Sequence, residues 1–175
     1  TVQSALEEDQ AFNDITTIAT VVSDRRARAT LVARGSGTIS GIPLALEAFR
    51  LLDPKVAIRV DREDGARVRE GEPLAFVTGH ARGVLAAERV ALNFMQRMSG
   101  IATLTAKYVG GVSGTKAKIL DTRKTTPGLR VFERYAVRCG GGHNHRFGLA
   151  HAFLVKDNHP DGAGSVWEAT RRCLD

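Results

Sequence analysis

Between Gly83 and Val109 the side chains Ala87, Val90, Phe94, Met98, Ile101, Thr105 and Tyr108 follow one another at steps of three or four. That spacing puts them on one face of an α-helix. The other side carries Leu85, Leu92 and Met95, so this long helix is expected to be buried on more than one side. Ser99-Gly100 marks an expected bend or break within it. Gly110-Gly111, continued by Ser113-Gly114, ends it. A domain border is therefore expected near residues 110–115: residues 1–112 as an N-terminal α+β, sandwich-like domain with the long connecting helix, residues 113–175 as a second domain.

Ahead of that helix the pattern is mixed. Ala5 to Ala19 reads as helical with a turn at Asn13-Asp14, where Asp14 and Thr16-Thr17 supply cap and turn chemistry. Ala27 to Ala33 alternates and predicts a half-buried strand. Pro43 opens a helix over Leu44 to Leu52, Lys55 to Val60 and Pro73 to Val77 read as strands, and Asp64-Gly65 and Glu70-Gly71 as turns. The stretch from Asp64 to Leu74 is similar to half of a biotinyl or lipoyl carrier domain. A carrier needs a modifiable Lys at an exposed turn, and no Lys lies between Lys55 and Lys107.

Past Thr115 two short apolar segments, Ala117 to Leu120 and Ala152 to Val155, read as strands. They run into the charged tetrads Asp121-Thr122-Arg123-Lys124 and Lys156-Asp157-Asn158-His159. Helices are expected over Leu129 to Val137 and Gly164 to Leu174. Strands that alternate with helices and end in charged residues imply a parallel α/β sheet or barrel, whose ligands gather at the C-terminal strand ends.

The charge is concentrated there as well. Of a net charge of +6, the segment from Thr115 to Pro160 holds nine Lys or Arg against three acids, with four of the five histidines. Cations beside Gly140, Gly141 and Gly142 make an expected anion pocket, with backbone N–H groups and paired guanidinium donors. Nucleic acid is disfavoured, because Phe132, Tyr135, Phe147 and Phe153 sit at core-filling spacing rather than as a stacking platform. A zinc site from Cys139, His143 and His145 matches no common ligand spacing. With two isolated cysteines and no run of 18 apolar residues, neither a disulfide framework nor a membrane helix is expected, and the setting reads as cytoplasmic.

These segments together resemble one family. Lys116 to Pro127 reads KAKILDTRKTTP, Tyr135 to Gly148 YAVRCGGGHNHRFG, and Phe153 to His159 FLVKDNH. Glu88 to Thr103 reads ERVALNFMQRMSGIAT and Asp14 to Thr17 DITT. In this order they closely resemble the quinolinate phosphoribosyltransferases over nearly the whole chain. A relative from a molybdenum locus shares DTRKT and HR but is less similar around KDNH.

The resemblance implies an α/β fold in which the second domain is a β/α barrel. It implies transfer of phosphoribose from phosphoribosyl pyrophosphate to quinolinate with decarboxylation, giving nicotinate mononucleotide for NAD biosynthesis, with Mg2+. Arg123, His145 and Arg146 would grip the quinolinate carboxylates. Lys124 and Lys156 would face the phosphoribosyl pyrophosphate as the catalytic pair. Arg89 would reach the site of a neighbouring subunit, which implies a homodimer; read from the helix alone it is a surface Arg paired with Glu88 or another acid. Arg138 and His159 stand as supporting groups. A complete barrel takes about 250 residues, so residues 113–175 are expected to be a truncated first part of one. On that expectation the chain by itself is inactive or acts only as an anion-binding module. Two local departures from the family pattern are Pro160 after KDNH and His143 in the glycine run.

Overall fold

The computed structural model describes residues 1–175. In chain order the elements are α1 (Val2–Glu8), a 3-10 turn (Ala11–Asn13), α2 (Ile15–Thr20), β1 (Arg26–Val32), β2 (Gly37–Thr38), α3 (Ile42–Leu52), β3 (Ala57–Val60), β4 (Arg67–Val68), β5 (Pro73–His80), α4 (Ala81–Gly111), α5 (Arg130–Cys139), α6 (Asn158–Ala163) and α7 (Val166–Arg172). The expected first helix is divided in two. Gln10 takes a left-handed φ of 53°, and Asp14 restarts the helix by accepting from Thr17 N at 3.0 Å, the usual work of an N-cap carboxylate.

β5 is the centre of an antiparallel sheet ordered β1-β5-β3. Arg26 faces His80 and Ala29 faces Val77 along one edge, and Ile58 faces Val77 along the other. The inner side of β5 carries Leu74 and Val77, both buried. On the outer side the guanidinium groups of Arg28 and Arg59 lie 5.1 and 4.3 Å from the centre of the Phe76 ring and shield it from water. β2 and β4 form a separate two-stranded pair, with Gly37 opposite Val68.

The connecting helix is α4. Its 31 residues make a rod of about 46 Å at 1.5 Å per residue. Ala87, Ala91, Met95, Met98 and Ala102 are all buried along it, and Gly41 brings the start of α3 hard against Phe94 and Met95. Phe49, Leu6, Val77 and Val84 complete the core beneath. Each large apolar side chain buried this way contributes about 1.5–3 kcal/mol.

The helix runs without a break through Ser99-Gly100. The Ser99 hydroxyl accepts from Ser40 N at 3.0 Å and donates to Ser40 O at 3.1 Å. Thr103 treats Thr38 the same way, at 2.9 and 3.3 Å. Ser99 therefore serves a neighbouring segment rather than weakening its own helix.

The last third departs furthest from the alternating strand-helix expectation. Ala117 to Leu120 forms no ladder, only a single parallel bridge between Leu120 and His143. Ala152 to Val155 forms no strand, with Phe153 77% exposed. A parallel strand holds only when hydrogen-bonded neighbours flank it, and this chain places none beside Ala152 to Val155. The Lys156-Asp157-Asn158-His159 tetrad consequently stands at the turn into α6 rather than at a strand end. Phe147 and Phe153, expected in the core, are 40% and 77% exposed.

Candidate anion-binding site

The site is assembled on α5. Gly128, at a φ of 78°, lets the chain turn sharply into the helix, and Arg130 and Arg134 follow at a spacing of four, on one face. Arg134 is 8% exposed. It donates through Nη1 to Asp121 Oδ1 at 3.2 Å and to Arg146 O at 3.1 Å, and through Nη2 to His145 O at 2.6 Å. Asp121 also accepts from Asn144 Nδ2 at 2.5 Å and from His145 N at 2.8 Å. Arg130 ties Thr125 Oγ1 at 3.0 Å, Phe147 O at 3.2 Å and Arg123 O at 3.4 Å. One helix thus laces together the two loops that bear Arg123 and Arg146. Breaking the buried Arg134–Asp121 pair by removing one partner costs about 3–5 kcal/mol, because the other charge is left uncompensated.

The far end of the first loop is pinned to α4. Thr126 N donates to Glu133 Oε2 at 3.1 Å, and Arg97 of α4 bonds to both Glu133 and Thr126. Burial pushes the Glu133 carboxyl upward, but Arg97 and the Thr126 hydrogen bonds outweigh it and hold the group below its ordinary value. Burial and the nearby Asp64 and Cys139 raise the Tyr135 phenol instead, so it stays protonated.

Arg123, Arg146 and Lys156 come together in one cavity of about 390 Å³, with His159 and Cys173 on its wall and no Asp or Glu in its lining. Arg123 Nε is buried there without a hydrogen-bond partner. An unpaired buried donor of a charged group costs about 1–3 kcal/mol or more, so this wall favours an anion. Arg146 is steadied by donating to Ala152 O at 2.7 Å. Lys156 N donates to His159 Nδ1 at 3.0 Å, which turns the imidazole back onto its own loop. A larger cavity, about 670 Å³, lies between β1, β2 and α4. It is mostly apolar, with Arg34, Glu88 and Lys107 as its charged members, and lacks this concentration of cations.

The other expected site residues lie outside the cavity. Lys124 and His145 are exposed, next in sequence to Arg123 and Arg146. Arg89 is exposed on α4 and lines a separate recess with Glu8, Asp9 and Asp14. None of the ion pairs includes it, so the expected pairing with Glu88 is not made. Arg138 is exposed over the Tyr135 ring at 5.9 Å.

The glycine run is not an anion cradle. The N–H groups of Gly140, Gly141 and Gly142 donate to Ala136, Arg138 and Val137 carbonyls at 2.9–3.0 Å, closing the end of α5. A Cβ on Gly140 would fall 2.4 Å from Ala102 O, and one on Gly142 2.9 Å from Thr105 Cγ2. These glycines let α5 dock on α4. Cys139, His143 and His145 form no metal site, and no group of three or more His, Cys, Asp or Glu side chains is placed to hold an ion.

Residues 14–99 match the family model described as "Quinolinate phosphoribosyl transferase, N-terminal domain", and residues 101–175 match the C-terminal domain of the same family. The chain belongs to the quinolinate phosphoribosyltransferase family. It is 50% identical over 176 residues to the nicotinate-nucleotide pyrophosphorylase [carboxylating] of Mycobacterium leprae, covering 98% of this chain and 61% of that relative. With a probable enzyme of the same name from Bacillus subtilis the identity is 43%, covering 94% and 57%. The crystal structure of NadC from Streptococcus pyogenes superposes with a TM-score of 0.94 at 42% identity, over 98% of this chain and 61% of that one. Human nicotinic acid phosphoribosyltransferase, at 17% identity and a TM-score of 0.68 over 89% of this chain and 40% of that one, shares the fold alone. This member of the quinolinate phosphoribosyltransferase family thus spans about three-fifths of the length of the relatives it matches. None of its helices is long and apolar enough to cross a membrane.

Proposed function

We propose that the protein transfers phosphoribose from phosphoribosyl pyrophosphate to quinolinate, with loss of carbon dioxide, to give nicotinate mononucleotide. The supporting observation is the cavity in which Arg123, Arg146 and Lys156 converge without a carboxylate and Arg123 Nε is buried unpaired. Both substrates are multiply anionic, and such a wall answers their charge. Arg123 and Arg146 bind the two ring carboxylates, with His145 beside Arg146. Lys156 and Lys124 face the pyrophosphate and stabilise the negative charge that grows on it. The pyridine nitrogen attacks the anomeric carbon as the bond to pyrophosphate breaks, so no protein nucleophile is used. The carboxylate beside the quaternised nitrogen then leaves as carbon dioxide, and that ring carbon takes up a proton. The fixed alignment of the two substrates supplies the orientation.

Magnesium enters this proposal as a companion of phosphoribosyl pyrophosphate. A homodimer in which Arg89 enters the neighbouring site, and a cytoplasmic setting for the two unbridged cysteines, complete the reading. Arg89→Ala is expected to leave the thermal midpoint unchanged and to lower quinolinate affinity roughly tenfold or more; unchanged affinity would exclude the shared site.

The test is titration calorimetry with quinolinate and nicotinate. The protein is expected to prefer quinolinate, and Arg123→Ala to lower that affinity roughly 10- to 100-fold, the worth of a hydrogen bond to a charged group. Equal affinity for the two acids, or an Arg123→Ala protein with unaltered affinity, would leave a general anion-binding module instead.

A further inference from the structure

We infer that Arg134 is a positioning residue that sets the spacing and direction of Arg123 and Arg146 for a dianionic ligand, by locking the loops that carry them into a single unit. The inference rests on the proposed site.

Arg134 has no route to a ligand of its own. It is buried, absent from the cavity wall, and all its donations go inward. Two of them hold the carbonyls of His145 and Arg146, so they fix the backbone from which both side chains project. The third holds Asp121, two residues ahead of Arg123. Asp121 in turn receives His145 N and Asn144 Nδ2. Arg130 and the backbone bond from Asp121 N to His143 O also span the two loops, but only the Arg134 guanidinium holds the carbonyls of both His145 and Arg146. Phe147 covers the assembly, with the Arg134 guanidinium 5.3 Å from its ring centre. A planar fork can serve a carboxylate and two carbonyls together; a compact ammonium cannot match that geometry. A structural ion pair could be exchanged for apolar side chains without loss, because exchange of both partners leaves no buried charge unpaired. A positioning device could not, because the carbonyl contacts would vanish with the guanidinium.

That difference defines the experiment. The variant Arg134→Met/Asp121→Leu is prepared alongside Arg134→Lys, which keeps the charge pair. Thermal midpoints, circular dichroism and calorimetric titrations with quinolinate, nicotinate and inorganic pyrophosphate are compared with the unaltered chain. The double variant, shown to be folded by circular dichroism, is expected to lose at least roughly tenfold in quinolinate affinity and most of its preference for quinolinate over nicotinate, with pyrophosphate affinity changed less. Arg134→Lys is expected to move in the same direction by less, and it decides the matter if the double variant fails to fold. A quinolinate affinity within twofold of the original in a folded variant would overturn the inference. If the unaltered chain shows no preference for quinolinate but pyrophosphate binding still weakens in the variants, the substrate reading falls and the positioning role stands. If it binds none of the three ligands, both fall.

Discussion

Replacement of Gly140 by Ala tests how the site is fastened to the rest of the molecule. Gly140 ends α5 at φ −77° and ψ 2°, a conformation open to any residue. Backbone freedom alone would therefore make the change stabilising by about 0.4–1 kcal/mol, through a less flexible unfolded chain. The space argues the other way. The new methyl carbon would stand 2.4 Å from Ala102 O and 2.6 Å from Thr105 Cβ, whereas non-bonded carbon contacts are comfortable at about 3.5–4.0 Å. Both obstacles belong to the rigid rod of α4, so α5 has to lift by about 1 Å. Overpacking of this kind costs about 1–3 kcal/mol. The clash outweighs the entropy gain, and a net loss of about 1–2 kcal/mol lowers the melting temperature by about 2–8 °C in a chain of this size. Gly100→Ala is the matched control. It lies in the middle of α4 with nothing within 4 Å of the added carbon, so it should gain about 0.5–1 kcal/mol. Urea unfolding of both variants measures the two signs. A Gly140→Ala protein as stable as the original would show that α5 does not rest on α4 in the way described, and the account of the site would lose its foundation.

Two further outcomes are expected. Glu133→Gln should destabilise at neutral pH and progressively less in acid. The native carboxyl is held below its ordinary value, so its contribution is complete above the unfolded pKa of about 4.3 and disappears as pH falls through the lower folded value; a deficit constant from pH 7 to pH 3 in melting experiments would contradict this. Ser99→Ala should lower stability by about 1–3 kcal/mol, because Ser40 N loses its acceptor in a partly buried place. The small helix-propensity gain of alanine, at most about 0.7 kcal/mol, does not compensate; an unchanged midpoint in urea would refute it.

The parts legible in the sequence are those set by local periodicity. The face running from Ala87 to Tyr108 announced α4 because a helix satisfies its backbone within itself, and Pro43 and Asp14 marked helix starts for the same local reason. Strands were another matter. The alternation of β1 was visible because it has a partner and one half-buried face, but Ala152 to Val155, equally apolar, has no neighbour and remains unpaired. Ser99 looked like a weak point of α4 because its hydrogen-bonding partner, Ser40, is 59 residues away. Gly140 to Gly142 looked like an anion cradle because glycine permits either a ligand or a helix to approach, and only the position of α4 decides between them. Arg123, Arg146 and Lys156 were found through their motifs. Arg134 was hidden among nine cations, since the sequence does not show which guanidinium is turned inward. Its spacing of four from Arg130 was the available signal.

The hydroxyls of Ser99 and Thr103 have a consequence for how copies of this protein behave toward one another. β2 and the residues after it present N–H and C=O groups along the margin of a very small sheet, and a bare margin of that sort templates the addition of a foreign strand. Here the N–H and C=O groups of Thr38 and Ser40 are all engaged by two side chains of a helix. The helix stands where the next strand would be and offers no further margin beyond itself. This edge is thereby closed to runaway pairing, and the molecule is protected from self-association there by two small alcohols.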